Sequence, residues 1–255
     1  MHDILSYTAW PMEKFKSYGL IHLSLFFIGL TISVYMSYRL RNSEEAKVDK
    51  ILFKCGLFLL ISEIYKQLFY TFYIENGSYP YWIFPFQLCS VPMYLCLLLP
   101  FIKKQKIKDM IYNFMASYNL MGGFISFLEP SGLIHEYVSL TAHAFVWHMM
   151  LVFIGLLIIS TKLAAKTLRD FLKAMLTYLC LCLIAYIINL IFYDKSNGTI
   201  NMFFIGPANS SIIVFKDICK NYSVLLSSIL FMFSSSLASA LLFSIACKYN
   251  VTIHR

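Results

Sequence analysis

Charge is scarce in this sequence. Only 13% of its 255 residues are Asp, Glu, Lys or Arg, while 59% are hydrophobic and mean hydropathy is +0.69. Soluble domains carry about 25% charged and about 45–50% apolar residues. A single buried core cannot absorb this excess, so the chain reads as one whose outer surface faces lipid. Acidic residues are rarer than basic ones, 13 against 21, for a net charge of +8. A nucleic-acid partner would need the cations on one stripe or arm. Here they sit mostly in short loops between apolar runs, which argues against nucleic acid and for a membrane topology signal. The seven cysteines show no CxxC spacing and no nearby His in a zinc-ligand pattern, so no disulfide framework follows. Most read as small buried side chains. Residues 1–17 hold Asp3, Glu13, Lys14 and Lys16 but no apolar h-region or small-residue cleavage site. No secretory signal is expected, and the first long apolar run reads as a retained helix. Internal repeats, low-complexity stretches and domain boundaries are absent, which leaves one integral membrane domain over 1–255.

What the chain does have is aromatic and apolar length. It holds 18 Tyr, 23 Phe and 3 Trp, as expected where rings sit at bilayer interfaces. Crossing the hydrocarbon takes about 20 apolar residues, and runs of that kind lie at 18–38, 51–74, 85–102, 110–128, 139–161, 170–193 and 221–247. All should be helices, because a lone open strand would leave its backbone unpaired in lipid. The expected fold is therefore an all-α, polytopic bundle of about seven transmembrane helices. The third run holds Pro85, Pro92 and Pro100, and Pro92 should kink it. The fourth holds Gly122 and Gly123, which would permit close helix approach or a bend.

Loop charges orient the bundle. Loop 39–50 carries Arg39, Arg41, Lys47 and Lys50, and loop 103–109 carries Lys103, Lys104, Lys106 and Lys108. Loop 162–169 carries Lys162, Lys166 and Arg169, and the tail Lys248 and Arg255. Loops 75–84 and 129–138 carry neither Lys nor Arg, the N-terminus two, and loop 194–220 three. The alternation supports seven spans, with the N-terminus outside and the C-terminus cytoplasmic. The expected location is the cell membrane.

Ionisable groups inside spans are costly and are functional candidates. Here they are His22, Glu63, Lys66, His143 and His148, joined by Gln87, Cys89, Asn113, Asn119 and Asn189. Cys89 lies 14 residues from Lys103, His148 14 from Lys162, and Glu63 13 from Lys50. At the helical rise all three fall roughly 20 Å from the basic edge. His22 and Asn189 come out a few residues higher and His143 nearer the surface, so several helices contribute to one layer in the outward half. Each member also has a plainer reading. Glu63 and Lys66, three apart, can be an ion pair that aids packing. A lone His often bonds between helices, and a buried Cys is usually inert. Asn189 and Asn201 read as structural hydrogen bonders. His143 and His148 are five apart, about 140° on a helix, so both cannot easily face one partner. The depth match favours His148, with His143 as a neighbouring or entrance group. Zinc helices present His at i, i+4, so no metal is expected.

The segment Phe84-Pro85-Phe86-Gln87-Leu88-Cys89-Ser90 resembles the Pro-Leu-His-Leu-Cys-Ser signature of YwaF-like integral membrane proteins. That family is related to the human transmembrane protein 164 type of membrane acyltransferases. Further likenesses follow in chain order: His22, Glu63, Glu129-Pro130, His148-Met149-Met150-Leu151-Val152-Phe153 and Asn201-Met202-Phe203-Phe204. Gln87 departs from the pattern, standing where the family has His. A more distant likeness is to androgen-dependent tissue-factor-regulating membrane hydrolases, which use Thr and His. The resemblance implies acyl transfer on lipids, with Cys89 as nucleophile and His148 as base.

That chemistry is coherent with the residues. A thiol is a poor nucleophile until deprotonated, a His in reach can take its proton, and a third group can orient the His. Glu63 is at the depth to be that orienter, and Gln87 could donate to a tetrahedral oxyanion. Lys66, His143, His22, Asn189 and Asn201 would bind substrate or support the site. Membrane lipids would be substrate or acyl donor, and no cofactor is required. The rival class is a small-solute or proton-coupled transporter whose path the same ionisable groups line. Polar groups are sparse in the cytoplasmic halves of the helices, which suits a one-sided pocket better than a through-path. A third reading is a structural subunit whose polar layer only holds helices together.

Overall fold

The computed structural model describes residues 1–252, so Arg255 of the expected basic tail lies outside the described residues. The chain is helical nearly throughout. After a short N-terminal helix α1 (His2–Ser6) come α2 (Leu20–Arg39), α3 (Glu45–Leu68), α4 (Val91–Leu98), α5 (Gln105–Phe114), α6 (Leu120–Leu128), α7 (Val138–Ser160), α8 (Leu168–Phe192), α9 (Ile213–Asn221) and α10 (Val224–Thr252). Wider π-helical turns extend α3 over Phe69–Ile74 and join α5 to α6 over Met115–Asn119. A 3-10 turn, Leu99–Phe101, ends the α4 segment. Among the described residues β pairing is limited to an isolated antiparallel bridge between Pro11 and Tyr137.

Four helices are long and apolar enough to cross a membrane: Leu20–Arg39, Val138–Ser160, Leu168–Phe192 and Val224–Asn250. They are not equivalent. In its apolar window α7 is 67% buried, against 17–22% for the other three. A helix apolar all round that is also buried is a core helix, so α7 forms the axis and α2, α8 and α10 form the rim. Close approach to α7 depends on glycine. A Cβ at Gly123 of α6 would stand 3.0 Å from Val152 Cγ2 and 3.2 Å from the His148 carbonyl oxygen. At Gly155 of α7 it would stand 2.8 Å from Leu120 Cβ. Gly122, the other half of the expected pair, faces open space.

One expected helix is redrawn. The run 85–102 is not a single kinked helix: helix begins only at Val91, and Pro92 falls in its first turn. Proline lacks the N–H that a first turn leaves unpaired anyway, and its φ suits that position. Pro92 therefore starts the helix instead of bending it, and residues 84–90 form a turn ahead of it. This shift decides the setting of Cys89.

At the N-terminal end of α3, Lys108 Nζ pairs with Asp49 and, at 3.3 Å, with Glu45 Oε1. Tyr112 donates its hydroxyl to the other oxygen of Asp49. Asp49 and Tyr112 are buried, so this network clamps α3 to α5.

Candidate functional site

Cys89 sits in the turn two residues before α4, next to the helix N-cap Ser90, which makes no side-chain cap. The α4 dipole therefore points its positive end towards the Cys89 turn, where developing negative charge is stabilised. Trp147 of α7 fixes the turn from one side, donating its indole N–H to the Cys89 carbonyl oxygen at 3.0 Å. Gln87 fixes it from the other. Its Nε2 donates to the Asn201 carbonyl at 3.0 Å, and its Oε1 accepts from the Phe203 amide at 2.9 Å.

Around Cys89 the expected polar layer is present in part as direct contacts. Lys66 Nζ stands 2.8 Å from Glu63 Oε1, and Gln67 Nε2 donates to the same oxygen at 2.6 Å. Both Lys66 and Glu63 lie within electrostatic reach of the Cys89 thiol. Ser62 Oγ meets His143 Nδ1 at 2.6 Å, and the His143 ring packs on Trp147 with centroids 5.3 Å apart. The residues on α3, the Cys89 turn and α7 are thus linked in one layer. Glu63 is 3% exposed, and its Oε2 has no hydrogen-bond partner among the described residues.

His148 lies about 100° round α7 from Trp147. Its Nδ1–H donates to the Ala144 carbonyl at 2.8 Å, since a carbonyl can only accept. The tautomer is thereby set, and Nε2 keeps its lone pair. Ala144, not Glu63, is the group that orients this ring: among the described residues Glu63 bonds no histidine. Nor does any hydrogen bond join the Cys89 sulfur to His143 or His148 among those residues. Cys89 and His148 share another property. Each is only partly buried, so each keeps some accessible surface.

The remaining candidates divide by what they hold. Asn189 donates to the Met202 and Gly206 carbonyls, both at 3.0 Å, and accepts from the Met202 amide at 2.6 Å. Asn201 donates to the Ala208 and Asn209 carbonyls. With Gln87 they hold a loop, containing a 3-10 turn at Met202–Phe204, whose Ile200, Met202, Phe203 and Ile205 are buried in the bundle. Buried irregular backbone needs its polar groups satisfied, and these three amides do that. His22 is apart from the Cys89 layer. It is 1% exposed, ringed by Tyr18, Phe127 and Phe145, and both its ring nitrogens lack partners among the described residues. Asn113 and Asn119 bond backbone, the first through the Ala165 amide and the second through the Leu151 carbonyl.

Sequence reasoning did not single out Ser62, Gln67 or Trp147. A signal existed for two of them: Trp147 is i+4 from His143, and Gln67 is i+4 from Glu63, the spacing at which helix neighbours touch.

Comparison with known proteins gives one match. Neither a curated protein nor a solved structure matches the chain. The model of the TMEM164 family matches residues 15–238, a stretch that includes α2 to α9, the Cys89 turn and both histidines of α7. With four apolar helices of spanning length, this is an integral membrane protein, and the chain belongs to the TMEM164 family.

Proposed function

We propose that this protein is a membrane-embedded lipid acyltransferase, with lipid-ester hydrolysis as the same chemistry when water is the acceptor. The observation that carries the reading is the placement of Cys89: a partly buried cysteine at the positive end of α4, in a turn held by Trp147 and Gln87. The acyl-transfer chemistry implied by the resemblance gives this placement a use. His148 Nε2 takes the thiol proton, and the sulfur attacks the ester carbonyl of a phospholipid. The C–O bond breaks, and the proton on His148 passes to the departing lysolipid oxygen. An alcohol, amine or water then attacks the thioester with His148 again as base, and Cys89 regains its proton. Apo contacts between catalytic groups are often loose, so the base need not touch the sulfur before substrate arrives. His143, held by Ser62, is the competing base. The Lys66–Glu63 pair lies close enough to bias charge at the sulfur, and the first-turn amide of Val91 is suited to a developing oxyanion.

In this reading the chain crosses the cell membrane seven times, with the N-terminus outside and the C-terminus cytoplasmic. Support comes from helical structure on each of the seven apolar runs, four of them long and apolar enough to cross a membrane, and from the alternating loop charge. Substrate would enter sideways from the outer leaflet.

The test is intact mass spectrometry of protein reconstituted with diacyl phospholipid. A hydroxylamine-sensitive acyl adduct is expected on the wild type and none on Cys89→Ala. An adduct retained by Cys89→Ala removes Cys89 from the role. Solute flux in proteoliposomes that survives this substitution would favour a transporter.

A further inference from the structure

The N-terminal end of α3 carries a second feature, about 20 Å along the helix from Glu63. A surface groove of about 380 Å³ is lined by Lys50, Phe53, Lys54, Pro100 and Phe101. The three α3 residues are spaced i, i+3, i+4 and so share a helix face. Phe53 meets Phe101 edge-on at 6.5 Å, and Phe101 is 74% exposed. Lys50 and Lys54 are exposed, and Lys103 and Lys104 follow Phe101 directly in the chain, also exposed. Among the described residues no carboxylate pairs with any of these four lysines. The nearby acids are already engaged, Asp49 and Glu45 by Lys108 and Tyr112. The groove is thus cationic at its rim and aromatic in its floor.

The α3 face continues from the lysines as an apolar stripe. Leu57, Phe58 and Ile61 follow on the same side, and Ile61 is 68% exposed. From Lys50 to Ile61 the helix rises about 16 Å, close to the roughly 15 Å depth of one hydrocarbon leaflet. A free phosphate would use the lysines and leave the stripe uncovered. A neutral lipid would cover the stripe and leave the cations unanswered.

We infer that this groove is a binding site for one anionic phospholipid, its headgroup between Lys50 and Lys54 and its acyl chains along Leu57, Phe58 and Ile61. The site is separate from the Cys89 layer and does not depend on the acyltransferase reading. A lysine near an anionic lipid surface contributes about 1 kcal/mol, or about fivefold in affinity, so the pair should confer about 30-fold.

Native mass spectrometry of the detergent-solubilised full chain, titrated with phosphatidylglycerol or phosphatidylcholine, tests this. One phosphatidylglycerol should be retained about 30-fold more tightly than phosphatidylcholine. The double variant Lys50→Gln, Lys54→Gln should lose that preference. The double variant Lys216→Gln, Lys220→Gln, with the same loss of charge elsewhere, should keep it. Equal retention of the two lipids by the wild type overturns the proposal whatever the variants do. So does a preference that survives in Lys50→Gln, Lys54→Gln, or displacement of the lipid by an equal concentration of inorganic phosphate.

Discussion

Two polar clusters lie at opposite ends of α3, and they are built on opposite terms. At the N-terminal end, Asp49 accepts from Lys108 and Tyr112, and Glu45 accepts from Lys108 and Gln105. Burial alone would lower the pKa of Lys108, but the two carboxylates raise it above its ordinary value, so its charge is secure. Further along the helix, Glu63 has one oxygen crowded by Lys66 and Gln67 and the other without a partner among the described residues. Cys89 and His148 are each only partly buried. A closed network spends its hydrogen bonds on the fold. An open one leaves groups free to meet a substrate, at a cost of about 1–3 kcal/mol for each buried group left unpaired.

If this contrast is right, the two ends should break differently. Asp49→Ala leaves the Lys108 ammonium part-buried without its main partner and should cost about 3–5 kcal/mol of stability, read as an earlier unfolding transition in detergent. Acylation per folded molecule should be retained. Cys89→Ala should do the reverse, removing the adduct while stability stays within about 1 kcal/mol. A Cys89→Ala protein as unstable as Asp49→Ala would make the Cys89 layer a second clamp.

A smaller effect is expected at Gln87, which joins the open cluster to the buried loop. Gln87→Ala strands the Phe203 amide and the Asn201 carbonyl, and should cost about 1–3 kcal/mol. Limited proteolysis should then cut within residues 199–210, where the wild type resists. Trp147→Phe keeps an aromatic ring but removes the indole N–H and with it the hydrogen bond to the Cys89 turn. Acylation per folded molecule should slow by about tenfold, equivalent to about 1.4 kcal/mol of lost positioning, while the smaller ring lowers the thermal midpoint. An unchanged acylation rate would show that Trp147 is packing alone.

The smallest effect concerns His135, in the loop outside the spans and 3.3 Å from the Tyr70 hydroxyl. Burial, helped by the Lys14 charge, lowers its pKa below the ordinary 6.5. The unfolded chain therefore binds the proton more readily. The stability this contributes is full above about pH 6.5 and is lost as pH falls through the lower folded value, with a slope under about 1.4 kcal/mol per pH unit. In a pH series of unfolding midpoints, His135→Gln should flatten that acid limb.

The helical membrane character was legible in the sequence because hydropathy and helix length are local quantities. The depth of Glu63 was counted along a continuous helix from its basic end, whereas the same count for Cys89 crossed the turn ahead of α4. The start of the α4 segment was misjudged, because an apolar run does not say whether Pro92 lies within a helix or at its first turn. The roles of Gln87, Asn189 and Asn201 were likewise hidden. Their partners are backbone groups of a loop that, for Gln87, lies more than 110 residues away in the chain.

The sequence by itself determined that this chain belongs in a membrane and that its fold is all-α. Apolar excess, periodic length and charge placement suffice for that, because lipid imposes the same demand on every segment. Only the tertiary structure decided which polar groups are satisfied and which stay open. Satisfaction is a property of pairs: Asp49 became a clamp by meeting Lys108 and Tyr112, whereas Cys89 stayed accessible in a turn fixed by Trp147 and Gln87.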